Sequence, residues 1–163
     1  MARDKATTAR PRQPAPRPRA DELRAWQALL HAHYQITKIL DAELRAGHAI
    51  SLDAYDVLLR LARADGRSLR MTQLAERVLI PPSTLTRRVD RLVEQGLVQR
   101  SKEPDDARVV AVGLTDRGLS LLRRAARTHL QGIHAHFTGK LDADQLVEVA
   151  SGLEVVVGPH VEH

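Results

Sequence analysis

Apolar residues recur every three or four positions in the first third of the chain, from Leu23 to Leu44. This spacing places them on one face of an α-helix, and Gly47 marks its predicted end. Ser51 is placed to cap a second helix, which Asp65-Gly66 would stop. The second helix is apolar on nearly every side, so we expect it to be central and buried. Its apolar residues are Leu52, Tyr55, Val57, Leu58, Leu59 and Leu61.

The middle of the chain combines two short helical segments with two short strands. One helix is predicted to start at Thr72, and Ile80-Pro81-Pro82 forms a turn before the next, which runs from Ser83 to Gly96. Two short helices joined by a tight turn are typical of a helix-turn-helix. The period then changes to that of strands, over residues 97–102 and again over residues 108–114. A hairpin directly after a helix-turn-helix predicts a winged helix.

The last third of the chain returns to a helical pattern. Thr115 is placed to cap a long amphipathic helix that is predicted to run to about Gly139. Asp142, with Gln145 three residues later, predicts a capping box. The box would open a last helix whose apolar residues continue to Val156.

Together these elements predict a mainly α, winged helix-turn-helix fold with about six helices and a short β-hairpin wing. Residues 51–114 would form the DNA-binding lobe. The helices within residues 21–47 and 115–157 carry long apolar stripes that one lobe cannot cover, so we expect them to pair with a second copy in a homodimer. Residues 1–20 are predicted to be a disordered tail, and residues 158–163 a frayed end.

Positive charge is concentrated in two places, although the net charge of the whole chain is only +5. Residues 1–20 carry +5 and interleave arginine with four prolines, a composition that cannot bury apolar surface. This tail would either contact DNA phosphates or only aid solubility. Residues 67–102 also carry +5, which favours a localised surface for a polyanion, although a solvated helix face would have the same charge.

Composition excludes several classes of protein. The chain has no cysteine, which excludes disulfides, a thiolate nucleophile and cysteine-ligated zinc. Its few aromatic residues, 2% of the chain, argue against stacking on single-stranded nucleic acid. No apolar run reaches the roughly 20 residues that span a bilayer, and no signal peptide is evident, so we expect a cytoplasmic protein without a membrane partner.

No enzyme chemistry is visible in the sequence. There is no Gly-rich phosphate loop and no arrangement of a nucleophile with a base. The eight histidines lack the i, i+4 spacing that puts two imidazoles on one helical face, so we expect neither a metal nor another cofactor.

The second helix of the helix-turn-helix has an outward surface suited to DNA. Leu85, Val89, Leu92 and Val93 are predicted to face inward. Arginine pairs with guanine in the major groove, whereas hydroxyl groups and a helix N-terminus suit phosphates, although an ordinary solvated helix would also be polar here. The predicted DNA-binding residues are Ser83, Thr84, Thr86, Arg87 and Arg88, with Arg91 beside them.

The predicted wing carries a second candidate contact. Asp106 and Arg108 are two residues apart and point the same way on a strand, so the carboxylate could hold the guanidinium rigid for a narrow minor groove. An ordinary surface ion pair is the alternative. Arg100 and Lys102, on the preceding strand, are expected to make weaker phosphate contacts.

At this point the chain resembles a known family. The segment from Asp106 to Thr115, DARVVAVGLT, fits the D-x-R-x-x-x-V-x-L-T wing signature of MarR-type transcriptional regulators, and Ser83-Thr84-Leu85-Thr86-Arg87 is similar to the start of their recognition helix. The resemblance covers residues 21–157. It implies an obligate homodimer, a repressor bound to a palindromic operator in double-stranded DNA, and release by a small, often phenolic or anionic, effector. The absence of cysteine departs from the peroxide-sensing branch.

An effector pocket would lie where the first helix, the second helix and the winged lobe meet. The polar and aromatic residues expected near it are Trp26, Tyr34, Tyr55 and Asp56, although residues of these types are more often packing or capping residues than ligand contacts. A nonspecific architectural DNA-binding protein and a metal-responsive regulator stay open as alternative functions.

Overall fold

The computed structural model describes residues 17–78, 80–102 and 110–158. These residues fall into two compact units that divide within the first helix, between His33 and Tyr34. The elements, in chain order, are α1 Ala20–His48, α2 Leu52–Arg63, a 3₁₀ turn Asp65–Arg67, β1 Ser68–Arg70, α3 Met71–Arg77, α4 Pro82–Glu94, β2 Val98–Lys102, β3 Val110–Leu114, α5 Asp116–His136, a 3₁₀ turn Thr138–Lys140 and α6 Ala143–Val157.

Side-chain caps begin three of the helices where the sequence predicted them. Ser51, Thr115 and Asp142 each accept a hydrogen bond from the backbone N–H three residues on, at 3.1, 3.0 and 2.8 Å. The Gln145 side chain accepts in turn from the backbone N–H of Asp142 at 3.0 Å, which completes the capping box. Because these bonds satisfy donors that a helix leaves unpaired, they fix where α2, α5 and α6 begin.

Within the residues that the structure describes, the sheet has three strands, whereas the sequence predicted a two-stranded hairpin. β3 lies between β1 and β2 and is antiparallel to both, with Val112 opposite Leu69 on one side and Arg100 on the other. β1 was missed because three residues are too few to show the alternation by which strands are recognised. It follows Gly66 and Arg67, which both have positive φ, and runs straight into α3.

The core of the second unit is built around α2, as its apolar sequence predicted. Val57, Leu58 and Leu61 are fully buried and belong to one cluster with residues from α3, α4 and both wing strands. The winged lobe is therefore organised around α2, which fixes the position of α4 relative to the sheet.

Two glycines let α5 lie unusually close to its neighbours. A Cβ atom on Gly118 would be 2.1 Å from the carbonyl oxygen of Leu97, and one on Gly132 would be 2.5 Å from the Leu40 side chain. The second contact joins α5 to the C-terminal part of α1, where the His136 ring also bonds to Glu43 at 2.8 Å.

The contact with α5 corrects one prediction about dimerisation. The apolar stripe from Leu23 to Leu44 was expected to be buried between subunits, but Leu40 and Leu44 are buried inside this subunit. Only the earlier part of the stripe is exposed: Leu23, Trp26, Leu30 and Tyr34. Within the described residues, no helix is both long enough and apolar enough to cross a membrane.

Candidate nucleic-acid interface

The start of α4 is shaped by two prolines. Pro82 occupies the first turn, where a missing backbone N–H costs nothing, and the Pro81 carbonyl accepts bonds from the N–H groups of Thr84 and Leu85, both at 2.9 Å. The helix N-terminus therefore opens on Ser83 without a side-chain cap over it.

The end of α4 is closed by a glycine turn. Gly96 has φ +67° and donates to the carbonyl of Val93 at 2.8 Å, while the Leu97 N–H donates to the carbonyl of Leu92 at 2.9 Å. These two bonds form a Schellman motif. The motif favours glycine at the position of Gly96, because the backbone there adopts the left-handed conformation. The motif turns the chain from α4 into β2 over three residues.

α4 has one buried face and one exposed face. Leu85, Val89 and Leu92 are buried in the core. Val93 was predicted to join them, but it is 36% exposed, because it lies at the margin of this face in the last turn. The exposed residues on the other side include Ser83, Thr86, Arg87 and Arg91.

Three guanidinium groups cluster on α4. Thr84, Arg87, Arg88 and Arg91 line a shallow pocket of about 170 Å³. Neither Arg87 nor Arg91 forms an ion pair with another residue that the structure describes, so both keep their charge available to an anion. The hydroxyl of Thr86, in contrast, donates to the carbonyl of Pro82 at 3.2 Å.

Arg88 has different surroundings from its neighbour Arg87. Its Nη2 donates to Asp53 of α2 at 2.9 Å, and only 17% of its side chain is exposed. Its Nε is buried and has no hydrogen-bond partner within the described part of the chain. The sequence predicted Arg88 on the outward surface, whereas the structure ties it to α2. The Asp53 partner was missed because nothing in the sequence links residues 35 positions apart.

The remaining predicted DNA contacts lie on or near the wing. Arg100 of β2 donates to Asp90 of α4 at 2.5 Å, so the strand is tied to the helix by an exposed ion pair. Lys102 ends β2, and its side chain is not among those described. Asp106 and Arg108 lie outside the described residues.

The four predicted effector residues do not share one environment. Trp26 and Tyr34 are exposed. Tyr55 is buried against His129, with ring centroids 4.5 Å apart, and burial raises the pKa of its hydroxyl. Asp56 pairs with Arg60 one turn along α2, at 3.1 Å.

A cleft of about 250 Å³ lies elsewhere in the second unit, and none of those four residues lines it. Arg117 and Arg124 of α5 supply two cations, seven residues apart on one helical face, a spacing that could have been noticed in the sequence. The other lining residues are His48, Ala49, Ile50, Gln95, Leu97 and Leu121. A cleft lined by apolar side chains and two cations suits a small organic anion.

Two histidines each bond to a different protein side chain. His48 bonds to Thr128 at 2.8 Å and His136 to Glu43 at 2.8 Å. Over the ranges that the structure describes, no three histidine, aspartate or glutamate side chains are grouped to hold a metal ion.

Comparison with known proteins connects this interface to a family. The family model described as MarR family matches residues 50–109, from just before α2 to just before β3. The HTH-type transcriptional regulator PecS of Dickeya dadantii is 32% identical over 85 residues. That match covers 52% of this chain and 51% of PecS, so the chain spans about half the length of this curated relative.

Solved structures extend the likeness over most of the chain. Sco3205, a MarR family transcriptional regulator from Streptomyces coelicolor in complex with DNA, is 29% identical with a TM-score of 0.83, over 90% of this chain and 91% of that one. The chain is therefore similar to MarR family transcriptional regulators over most of its length. A single-residue mutant of MarR from Escherichia coli, complexed with operator DNA, is 26% identical with a TM-score of 0.73, over 85% of this chain and 97% of that one. The predicted mainly α, winged helix-turn-helix fold is thereby confirmed.

Proposed function

We propose that this chain is a MarR-type, sequence-specific transcriptional repressor that binds a palindromic operator as a homodimer. The observation that carries the proposal is the exposed face of α4, where Arg87 and Arg91 are unpaired within the described chain beside an open helix N-terminus. A guanidinium can bond to both acceptors of guanine, and a helix N-terminus attracts phosphate. Sco3205 and MarR, which share this fold, have each been crystallised with DNA.

Exposed apolar side chains at both ends of the chain support the homodimer. In the first unit they include Leu23, Trp26 and Leu30 of α1, and in the second unit Leu153 and Val156 of α6. Patches of this kind favour association, because burying apolar surface is favourable. A second copy of the chain is the partner we assign, since two identical winged lobes match the two halves of a palindrome.

Release by a small effector completes the proposal. We propose that the effector binds in the cleft lined by Arg117 and Arg124, because the two cations and the apolar lining residues suit an organic anion. The cleft also includes Gln95 and Leu97, which adjoin the end of α4. A ligand there could therefore shift the recognition helix directly.

Footprinting on the DNA that flanks the protein's own gene tests the proposal. We expect a protected, twofold-symmetric site, and competition with random DNA should show a preference of about 10³-fold or more for that site. Equal affinity for the site and for random DNA would contradict a specific regulator and favour a nonspecific architectural protein. The same titration, repeated with Arg117→Ala and Arg124→Ala, should show unchanged DNA preference but weaker release by candidate anions.

A further inference from the structure

Arg88 lies at the centre of a group of charges that joins three helices of the second unit. Asp53, at the start of α2, accepts a hydrogen bond from Arg88 of α4. Asp41, near the end of α1, accepts from the backbone N–H of Leu52 at 2.8 Å and from Arg45 at 2.5 Å. Asp41 and Arg45 are thus attached to the N-terminus of the same helix that carries Asp53.

Opposite charges alternate through this group. Burial by itself would raise the pKa of Asp41, but the hydrogen bonds from Arg45 and Leu52 and the charges of Arg45 and Arg88 lower it below its usual value. Asp41 therefore remains ionised at neutral pH. Asp53 in turn acts on Arg45 as well as on Arg88. The charge of Arg88 is thus balanced by Asp53 of α2, while Asp41 of α1 pairs with Arg45.

Arg88 is poorly placed to bind DNA from this position. Most of its side chain is covered, and its guanidinium is already bonded to Asp53 through Nη2. Its exposed neighbour Arg87 has neither constraint.

We propose that Arg88 is a positioning residue that holds the recognition helix against the junction of α1 and α2 through Asp53, rather than a DNA contact. The role rests on the proposed DNA-binding function. It makes the placement of α4, and so operator affinity, depend on the Arg88–Asp53 pair. Because Asp41 of α1 is bonded to the N-terminus of α2, the same pair also connects α1 to the recognition helix.

The substitution Asp53→Asn separates positioning from contact, because the two roles predict opposite signs. If Arg88 positions α4, weakening the pair should lower operator affinity roughly three- to thirtyfold. If Arg88 instead contacts phosphate in the complex, Asp53→Asn frees the guanidinium and removes a nearby negative charge, so affinity should rise. The matched control is Asp56→Asn, which makes the same charge change on the same helix but breaks the pair with Arg60 instead of the pair with Arg88. It should leave the ratio of operator to random binding unchanged.

The salt dependence of binding supplies a second, independent readout. Arg88→Met removes the charge and keeps much of the apolar stem. A lost phosphate contact would flatten the slope of log affinity against log salt by about 0.9 per subunit, whereas a positioning residue leaves the slope unchanged. Arg87→Met, on the exposed face, is the reference for a residue that touches DNA.

A double-mutant cycle completes the test. Arg88→Met combined with Asp53→Asn should bind the operator no more weakly than the worse single variant, because both remove one interaction. Additive losses would overturn the proposal, as would a rise in affinity for Asp53→Asn. Thermal melts and sedimentation verify that each variant is folded, and a variant that merely unfolds would lose operator and random binding in equal proportion. If the wild-type protein shows no operator preference, the proposed function itself fails. If the wild-type protein prefers its operator but the losses in the cycle are additive, only the positioning role fails.

Discussion

Arg87 and Arg88 are adjacent on α4, yet one is exposed and the other is held against α2. A helix turns about 100° per residue, so neighbouring side chains meet different surroundings. The helical pattern in the sequence separates Arg87 from the apolar face, but it cannot reveal that Asp53 lies beside Arg88. Whether a charged side chain at the margin of a helical face is exposed or held in an ion pair depends on which residue lies beside it. Tertiary packing determines that residue.

Arg87→Ala should weaken operator binding by about 1–3 kcal/mol and relax base preference at one position in each half-site, because a bidentate contact to a base would be lost. The measurement is a titration of the variant against operators substituted one position at a time. An equal loss on operator and random DNA would show that Arg87 contacts a phosphate rather than a base.

His129 gives the protein a dependence of stability on pH. Burial against Tyr55 lowers the pKa of His129, and the charge of Asp56 offsets this only in part. The unfolded chain therefore takes up a proton at a higher pH than the folded one does, since free histidine titrates near pH 6.5. Above that pH the neutral His129 costs the folded state nothing. As the pH falls, the unfolded chain is protonated first, so the free energy of unfolding decreases.

We expect the free energy of unfolding to decrease between pH 7 and pH 5, and His129→Phe to reduce that decrease, because phenylalanine packs on Tyr55 without taking up a proton. Urea unfolding at fixed protein concentration measures both. A variant that loses stability with acid as steeply as the wild type would show that other groups are responsible.

At the scale of elements, α5 is positioned by the absence of side chains as much as by their presence. Gly118 and Gly132 let the helix approach Leu97 and Leu40, respectively, more closely than any other residue would allow. Both glycines are ordinary helical positions in the sequence, where glycine predicts only a weakened helix. Their role as contact points appears only once the neighbouring elements are in place.

Gly118→Ala should lower the free energy of unfolding by about 1–3 kcal/mol or more, because the new methyl group would overlap the backbone of Leu97 and force α5 away from β2. Gly47→Ala is the matched control. A Cβ there meets nothing within 4 Å, so the substitution should stabilise α1 by up to about 1 kcal/mol. Denaturant titrations of the two variants should shift in opposite directions, and a common direction would refute the packing argument.

The elements that the sequence predicted well are those with local signals. The capping residues Ser51, Thr115 and Asp142 and the glycine turn at Gly96 act within a few positions, so their patterns are legible in the chain itself. β1 was missed because its three residues are too few to show the alternation of a strand, and its partner, β3, is more than 40 residues away. The Arg88–Asp53 pair was missed because its two residues are also distant in the sequence.

At the scale of the whole molecule, the apolar residues of α6 are the clearest sign of association. The helical pattern predicts a stripe containing Leu146, Val149, Leu153 and Val156, and most of these side chains are exposed in the isolated chain. Val155 projects from the opposite side of the helix. Val156 is 78% exposed and Val155 is 85% exposed, so neither side chain contributes to the core of its own subunit.

Val156→Glu should therefore convert the dimer to monomer at micromolar concentration, since it places a charge in the proposed interface. Val155→Glu makes the same change outside the stripe and should leave the dimer intact. Sedimentation velocity compares the two. Equal effects, or a wild-type protein that is already a stable monomer, would contradict dimerisation through this face.

The placement of β3 between β1 and β2 also bears on how the protein behaves when it is concentrated. An unpaired sheet edge is a template to which a strand from another chain can add, and long apolar edges promote aggregation. Here the edge strands have only three and five residues, and the outer strand β2 contains Arg100 and Lys102. The apolar strand β3 has both of its edges paired within the chain. Subunits that come apart should therefore remain dispersed as folded monomers instead of adding to one another edge to edge as fibrils.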